Sequence, residues 1–255
     1  MSETQDTSAF SLETLSEAVN YNRFVVDRMR PYLGKKLLEL GTGIGNLTPL
    51  FLGDGRDVTA IDIEQSLIAV HRKRVPASPS LKVECISLQD LARKPKEQGS
   101  YDSVVSSNVL EHIPDGAIGE VVSSMYTVLK PGGHAVHWVP AFGSIFGSMD
   151  ESFGHYRRYT KETAARLFQV QAYAGMGIAR RSASEGGFQV VSCSYWNMTG
   201  FFGWWFAGRV LRKKAIPRTS ALAFDKFLMP LIRAIEPALW RPFGQSLLVV
   251  AKKVI

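Results

Sequence analysis

"LLELGTGIGNLT", Leu37 to Thr48, decides how the chain is read. An apolar run ends in an acid and a glycine-rich turn, the pattern by which a strand passes to a helix around a nucleotide-like ligand. The dinucleotide fingerprint G-x-G-x-x-G would need its third glycine at Asn46, but the third glycine is Gly45, which gives E-x-G-x-G-x-G. Glycines at such a turn let the backbone approach a ligand that a β-carbon would block. The free amides at the following helix start can hold a carboxylate. Glu39 adds negative charge beside them. That charge repels a bare pyrophosphate and suits a ligand carrying both an ammonium and a carboxylate.

Asp62 closes the next strand-like run, "DVTAID" (57–62), where a carboxylate can accept hydrogen bonds from both hydroxyls of a ribose. An amino-acid group at the first strand and a ribose at the second describe S-adenosylmethionine. Without Glu39 and the shifted glycine, NAD would be the better reading.

Around this centre, strands and helices alternate. Residues 11–33 carry apolar positions at helical spacing and stop at Pro31 and Gly34. Strands are expected over 35–40, 57–62, 81–88, 101–109 and 134–140, with helices between them. The helix after the fourth strand is expected to close at Pro131-Gly132-Gly133. This alternation implies a parallel sheet covered on both faces. After Pro140 a loop-like stretch, "AFGSIFGSMDESFGHYRRYT", leads to a helix starting near Thr160 and to strands over 188–196 and 246–253. "FFGWWFAGRVLRKK" and a helix over "FDKFLMPLIRAIEPALW" lie between those two strands. The whole reads as one domain, 1–255: a helical cap (1–34), a cofactor-binding core (35–140), substrate-facing segments with strand six (141–245) and a last strand (246–255).

Hydrophobic residues make up 45% of the 255, enough for a sizeable core, which excludes a disordered chain. No internal repeat is visible. The polar, acidic start lacks the pattern of a signal peptide, and no apolar run reaches the about 18 residues of a membrane span. The expected location is therefore cytoplasmic. Cys85 and Cys193 lie far apart in apolar runs and lack metal-ligand spacing, so they read as buried free thiols, with no metal expected. The formal charge of +7 gathers in "HYRRY" (155–159), "ARR" (179–181) and "GRVLRKK" (208–214). Such clusters suit an anionic partner or form a solvated face.

Four motifs together resemble the class I S-adenosylmethionine-dependent methyltransferases of the bacterial small-molecule type: "ELGTGIG" (39–45), "VTAIDIE" (58–64), "YDSVVSSNVLEHIPD" (101–115) and "LKPGGH" (129–134). The flanks "NYNRFVVDRMRPYLG" (20–34) and "GHYRRYT" (154–160) resemble a narrower subgroup that often accompanies glycosyltransferase or polysaccharide genes. The resemblance implies an α/β, Rossmann-like, doubly wound sheet of seven strands, mostly parallel with an antiparallel C-terminal strand and helices on both faces. It also implies the donor S-adenosyl-L-methionine and the product S-adenosyl-L-homocysteine. By position, Glu39, Gly41, Thr42, Gly43 and Gly45 would contact the methionine part, Asp62 the ribose and Ile63 the adenine. Asn108 would sit beneath the sulfonium end, and Tyr21 would close over the donor. The family's usual acid after strand three is replaced by Ser87, so Ser87 or Gln89 would meet the adenine amino group and the Leu88 backbone its ring. The link over 170–186 is longer than in relatives and has no physical account.

Methyl transfer from a sulfonium needs alignment more than covalent machinery, and a hydroxyl acceptor also wants a base. His155, Tyr159 and His112 are the base candidates. Phe142, Arg157 and Arg158 are expected on the acceptor side, the arginines holding an anionic group. His137 is expected inside the sheet, and His71 and His134 at the surface. The acceptor reads as a small molecule offering an oxygen or nitrogen: a sugar, a natural product or a lipid-linked compound. Residues 201–214, aromatic and then basic, suit either a pocket wall or a peripheral segment on the inner face of a membrane. RNA methylation is the rival favoured by charge; "NVLE" stands where base-amine methyltransferases carry an N/D-P-P-Y/F motif. The sequence is silent on oligomeric state.

Overall fold

The computed structural model describes residues 12–174, 187–214 and 217–254. In chain order, a short helix α1 (12–17) precedes α2 (Val19–Met29), β1 (Lys36–Leu40), α3 (Thr48–Gly53), β2 (Asp57–Asp62), α4 (Gln65–Arg74) and β3 (Leu81–Cys85). Next come α5 (Leu88–Ala92), β4 (Tyr101–Ser107), α6 (Asp115–Val128), β5 (Leu129–Pro140), α7 (Ser148–Ser152) and α8 (Lys161–Ala174). The chain ends with β6 (Gly187–Trp196), α9 (Met198–Trp205), α10 (Arg218–Ala223), α11 (Met229–Ile235) and β7 (Ser246–Val254).

The strands form one seven-stranded sheet in the order β3-β2-β1-β4-β5-β7-β6. β1 pairs in parallel with β2 on one side (Leu40 opposite Ile61) and with β4 on the other (Glu39 opposite Val105). The strand order therefore switches direction at β1 and β4, where open α/β sheets bind their ligands. β7 runs antiparallel to both β5 and β6, as a C-terminal hairpin partner must when it enters between them. The expected sheet is the observed one.

Two apolar layers cover it. On one face, α2 and α3 bury Phe24, Met29 and Phe51 with Trp138, Trp196 and Met229. On the other, α6 buries Ile118, Val121, Val122, Met125 and Val128, the i, i+3, i+4, i+7 stripe of a core-facing helix, beside Leu91 and Phe168.

Several expectations are corrected. Pro131-Gly132-Gly133 does not close α6 but lies inside β5, where the register jumps from Tyr101–Leu129 to Ser103–His134. Gly132 has φ +79°, and a β-carbon on Gly133 would stand 3.0 Å from the Asp102 and Lys130 carbonyl oxygens, so the run forms a bulge that ordinary side chains could not. β3 stops at Cys85 because Ser87 starts α5, its Oγ accepting from the Asp90 amide at 3.0 Å. Cys85 is exposed and Cys193 half-buried, since β3 and β6 are the sheet's edges. α8 reaches Ala174; the rest of the long link, 175–186, lies outside the described residues. The helix expected over 224–240 opens with a π-helical turn at Phe224–Leu228 before α11. Pro230 explains it, because it has no amide to donate and its ring clashes with the carbonyl four residues back.

Phe24 joins the sheet to its helical cover, meeting Trp138 and Trp196 edge-on with ring centroids at 5.8 and 5.9 Å. Phe24→Ala should lower the unfolding free energy by roughly 3–5 kcal/mol, read as a shift of the urea midpoint. A midpoint unchanged from the parent would show that this contact is not part of the core.

Candidate functional site

A cleft of about 1570 Å³ opens beyond the carboxyl ends of β1, β2 and β4, with α1 along its edge. Single-ligand pockets usually hold roughly 300–1,000 Å³, so this one has room for two ligands. Its lining divides into two ends.

At the first end the glycine turn carries the geometry. The Gly41 and Thr42 amides both donate to the Ile61 carbonyl, at 2.9 and 3.0 Å. Gly41, Gly43 and Gly45 have φ of +68°, +56° and +82°, a left-handed backbone that side chains resist. A β-carbon on Gly41 would strike Val109 at 2.5 Å and one on Gly45 would strike Val75 at 2.7 Å, whereas at Gly43 the nearest atom is Leu12 at 3.6 Å. The turn is thus packed from behind at Gly41 and Gly45 and open to the cleft at Gly43. Asp62 holds it from the side, accepting from the Gly43 amide at 2.8 Å and the Glu64 amide at 3.0 Å.

Glu39 is buried beneath the turn. Thr48 Oγ1 donates to its carboxylate at 2.6 Å. The same Thr48 oxygen lies 3.0 Å from both Thr42 Oγ1 and His71 Nε2. Since Thr48 spends its proton on Glu39, the His71 N–H donates to Thr48, a tautomer assigned from this network. Burial, with Asp62 nearby, pushes the Glu39 carboxyl up to about 7 against the Thr48 and Thr42 hydrogen bonds. Among the described residues this acid has no cationic partner, and the cleft is where one can reach it.

Further out, Ile63 is 72% exposed and lines the cleft as an apolar shelf, next to Leu88 and Gln89. The Ser87 hydroxyl is taken up by Asp90, to which it donates at 2.7 Å. Leu88 opens α5, so its amide has no carbonyl within the helix to bond. Asn108 (φ +53°) and Tyr21 close the inner end; the Tyr21 hydroxyl accepts from Trp138 Nε1 at 3.2 Å.

At the second end, Asp150 is a fully buried hub. Its Oδ1 accepts from Arg158 Nη1 at 2.7 Å and His155 Nδ1 at 2.8 Å, and its Oδ2 from Trp204 Nε1 and the Gly147 amide, both at 3.1 Å. Burial raises the Asp150 carboxyl, but His155, Arg158 and Trp204 outweigh it and hold it below the ordinary range. The His155 ring meets His112 edge-on at 4.8 Å, and both line the cleft. Burial, then the neighbouring His155, lowers His112 to about 4, so it is neutral at pH 7. Behind them Glu111 is buried with neither carboxyl oxygen hydrogen-bonded, and burial pushes it up to about 8. Ligand atoms of Glu111, His112 and His155 lie within 4.8 Å of one another.

Residues 38–135 match the family described as "Methyltransferase domain". This segment is a methyltransferase domain. A ubiquinone biosynthesis O-methyltransferase of Thiobacillus denitrificans is 36% identical over 109 residues, which span 42% of this chain and 45% of that protein. The chain thus matches less than half the length of this curated relative. In fold, the whole chain is similar to solved S-adenosylmethionine-dependent methyltransferases. An Archaeoglobus fulgidus structure covers 91% of this chain and 94% of its own (TM-score 0.55, 16% identity). Another is the Burkholderia thailandensis 1,6-didemethyltoxoflavin-N1-methyltransferase with bound S-adenosylhomocysteine (TM-score 0.54, 16% identity, 95% and 79% covered).

The cleft brings together Tyr21, Glu39, Gly41, Thr42, Gly43, Asp62, Ile63, Ser87, Leu88, Gln89 and Asn108. Gly45 sits one step behind, its β position against Val75 and His71. On the acceptor side His112, His155 and Arg158 border the cleft, while three expected residues do not. Tyr159 is buried and donates to the Leu110 carbonyl at 3.1 Å, and burial pushes its hydroxyl up to about 12. Arg157 pairs with Asp115 at 2.7 Å and bonds the Leu110 carbonyl. Phe142 stacks on Tyr195 at 4.5 Å and meets Phe201 edge-on. Arg158 faces the cleft with three of its five N–H donors on Ala141, Asp150 and Gln245, which tie it to the loop.

Sequence reading missed Asp150 and misplaced His71. The i, i+3 spacing of Ile68 and His71 on α4, both fully buried, was the available signal for the second. For Asp150 the signal was an acid in the loop opposite "HYRR". His137 is inside the sheet as expected, bonded to Ser106 at 2.7 Å.

Glu39 yields a pH test. Its ordinary value is 4.5 and its folded value about 7, so between these the unfolded chain ionises while the folded chain keeps the proton. Stability of the ligand-free chain should fall as pH rises through that window, by roughly 3 kcal/mol in all from this group. Glu39→Gln should flatten the fall and be more stable than the parent at pH 8, as read by urea melts at pH 5 and pH 8. Parallel pH profiles would remove Glu39 as its source.

Proposed function

We propose that this chain transfers the methyl group of S-adenosyl-L-methionine to an oxygen or nitrogen of a small acceptor, releasing S-adenosyl-L-homocysteine. One observation carries the reading: a buried, cation-less Glu39 and the ribose-spaced Asp62 flank a glycine turn open at Gly43, at the sheet's switch point. The printed name of the ubiquinone relative supports an O-methyl acceptor, and the toxoflavin enzyme is a precedent for nitrogen on the same fold.

The residues present fit the donor. Glu39 would face its ammonium, the Gly43 region its carboxylate and Asp62 its ribose hydroxyls. Ile63 would lie under the adenine, with the Leu88 amide and Gln89 at the ring edge. Gln89 is the better N6 partner because Ser87 is committed to Asp90. The donor supplies an already activated methyl group. The chain's task is to align the acceptor in line and exclude water, worth roughly 7–11 kcal/mol when complete.

His155 is the proton acceptor of this reading. Asp150 fixes its Nδ1–H, which leaves Nε2 as a lone pair on the cleft side of the loop. Tyr159 is set aside because its hydroxyl is sealed and already donating. His112, neutral and in edge contact, would shape the acceptor's place. The reading includes a cytoplasmic location and attachment at the inner membrane face through 201–214. Among the described residues no helix is long and apolar enough to cross a membrane.

Asp62→Ala should weaken S-adenosylhomocysteine binding by about 10–100-fold in calorimetry, the scale of a lost hydrogen bond to a charged group. An affinity equal to the parent's would remove Asp62 from the donor site. His155→Ala should slow methyl transfer from labelled donor into cell-extract small molecules by about 10²–10⁴-fold while donor affinity holds. Turnover at the parental rate would eliminate His155 as the base.

A further inference from the structure

The segment between strands β6 and β7 presents its apolar side outward. On α9 and the π-helical turn after it, Phe202, Trp205, Phe206 and Val210 are 45–58% exposed, while Gly208 faces inward. On the helix through 224–238 the inward row is Asp225, Met229 and Glu236, and the outward row Phe227, Leu231 and Ile235. Trp240 beyond it is 85% exposed. Both rows repeat at i, i+3 or i+4, so each helix is amphipathic with the apolar stripe toward solvent. An apolar surface of this extent on a folded chain marks an interaction site.

Its charge says what covers it. Residues 198–241 hold eight Lys or Arg and two acids, a balance of +6 out of the chain's +7. Both acids are turned in: Asp225 accepts from the Tyr21 amide at 2.7 Å and Glu236 from the Met198 amide at 2.8 Å. Arg218 and Arg233 have partners in Glu17 and Asp27. Arg209, Arg212, Lys213 and Lys226 stay exposed among the aromatic residues. Aromatic side chains interleaved with cations, on helices too short to span, describe a surface that lies in the headgroup region of an anionic bilayer.

The cleft opens on the same segment. Phe206, Leu211, Pro217, Ala221 and Phe224 line it and belong to the elements that carry the exposed rows. Resting on the methyl-transfer reading above, we propose that these helices seat on an anionic membrane. The acceptor is a membrane-resident amphiphile whose polar head enters between 206–211 and 217–224 and reaches His155, while its apolar chain stays in the lipid.

The test uses the full chain with phosphatidylcholine vesicles made with and without phosphatidylglycerol. Sedimentation with the phosphatidylglycerol vesicles is expected at ~0.05 M salt, with most of the protein released at ~0.5 M, as screening requires. Arg209→Glu and Arg212→Glu should each weaken it by at least about fivefold, the worth of one cation at such a surface. The triple change Trp205→Ser, Phe227→Ser and Trp240→Ser touches no cleft residue. It should abolish sedimentation while S-adenosylhomocysteine affinity, as a check of folding, is unchanged. A chain that stays in the supernatant with both vesicle types overturns the proposal. So does a dimer in sedimentation velocity that the triple change dissociates, because a second copy would then cover the surface. With membrane extract as the acceptor source, methyl groups from labelled S-adenosyl-L-methionine should enter the organic phase; label confined to water-soluble products overturns the acceptor assignment. Failure to bind S-adenosylhomocysteine would defeat the methyl-transfer reading and leave the vesicle result standing.

Discussion

Two amides on one carbonyl hold the site together: Gly41 and Thr42 both donate to Ile61, the residue before the last of β2. The parallel pairing of β1 with β2 brings Ile61 opposite Leu40, and these bonds carry the pairing past the strand's end into the turn. Asp62, next in line, then meets the Gly43 amide without any loop to place it. Asp62 and the glycine turn are therefore one rigid unit. The left-handed backbone of three glycines is the cost of that closeness, and Val109 and Val75 close the space that side chains would have taken.

Beneath the turn lies a deliberate mismatch. Glu39 is buried with hydroxyl donors from Thr48 and Thr42 but no cation, so the empty fold pays in stability for its charge at neutral pH. A ligand ammonium would remove that penalty, which couples donor binding to stability. Asp150 at the other end is the converse case. It is just as buried, yet Arg158, His155, Trp204 and Gly147 satisfy it completely. Its job is geometric: it locks the loop after β5 to α9 and holds the ring of His155, which lines the cleft, by one nitrogen.

Much of this was legible in the sequence because it depends on local order. E-x-G-x-G-x-G, the acid closing β2 and the alternation of strands with helices are all short-range signals, and Glu39, Gly41, Gly43 and Asp62, which they single out, line one cleft. The acceptor end was only half legible. "HYRRY" supplied His155 and Arg158, but a run of neighbours cannot say which side chains turn inward. Tyr159 and Arg157 turn toward Leu110 and Asp115, and Asp150, five residues ahead of His155, turns in to meet it. The bulge at Pro131-Gly132-Gly133 escaped for a related reason. Proline and glycine announce a break in a helix and a break in a strand with the same letters, and only the pairing of β4 with β5 distinguishes them.

The amino-acid sequence by itself determined the sheet, its switch point and the chemistry of the donor end, since strand periodicity and turn glycines act over a few residues. The tertiary structure decided the acceptor end. It left His155 on the cleft and sealed Tyr159, tied Arg158 to its loop, and brought in Asp150 and His71, because burial and hydrogen-bond partners are set by segments distant in the chain. It also decided that the aromatic helices between β6 and β7 face outward. Their sequence is amphipathic whether the apolar stripe meets a core or a membrane, and only packing shows which side the protein has left uncovered.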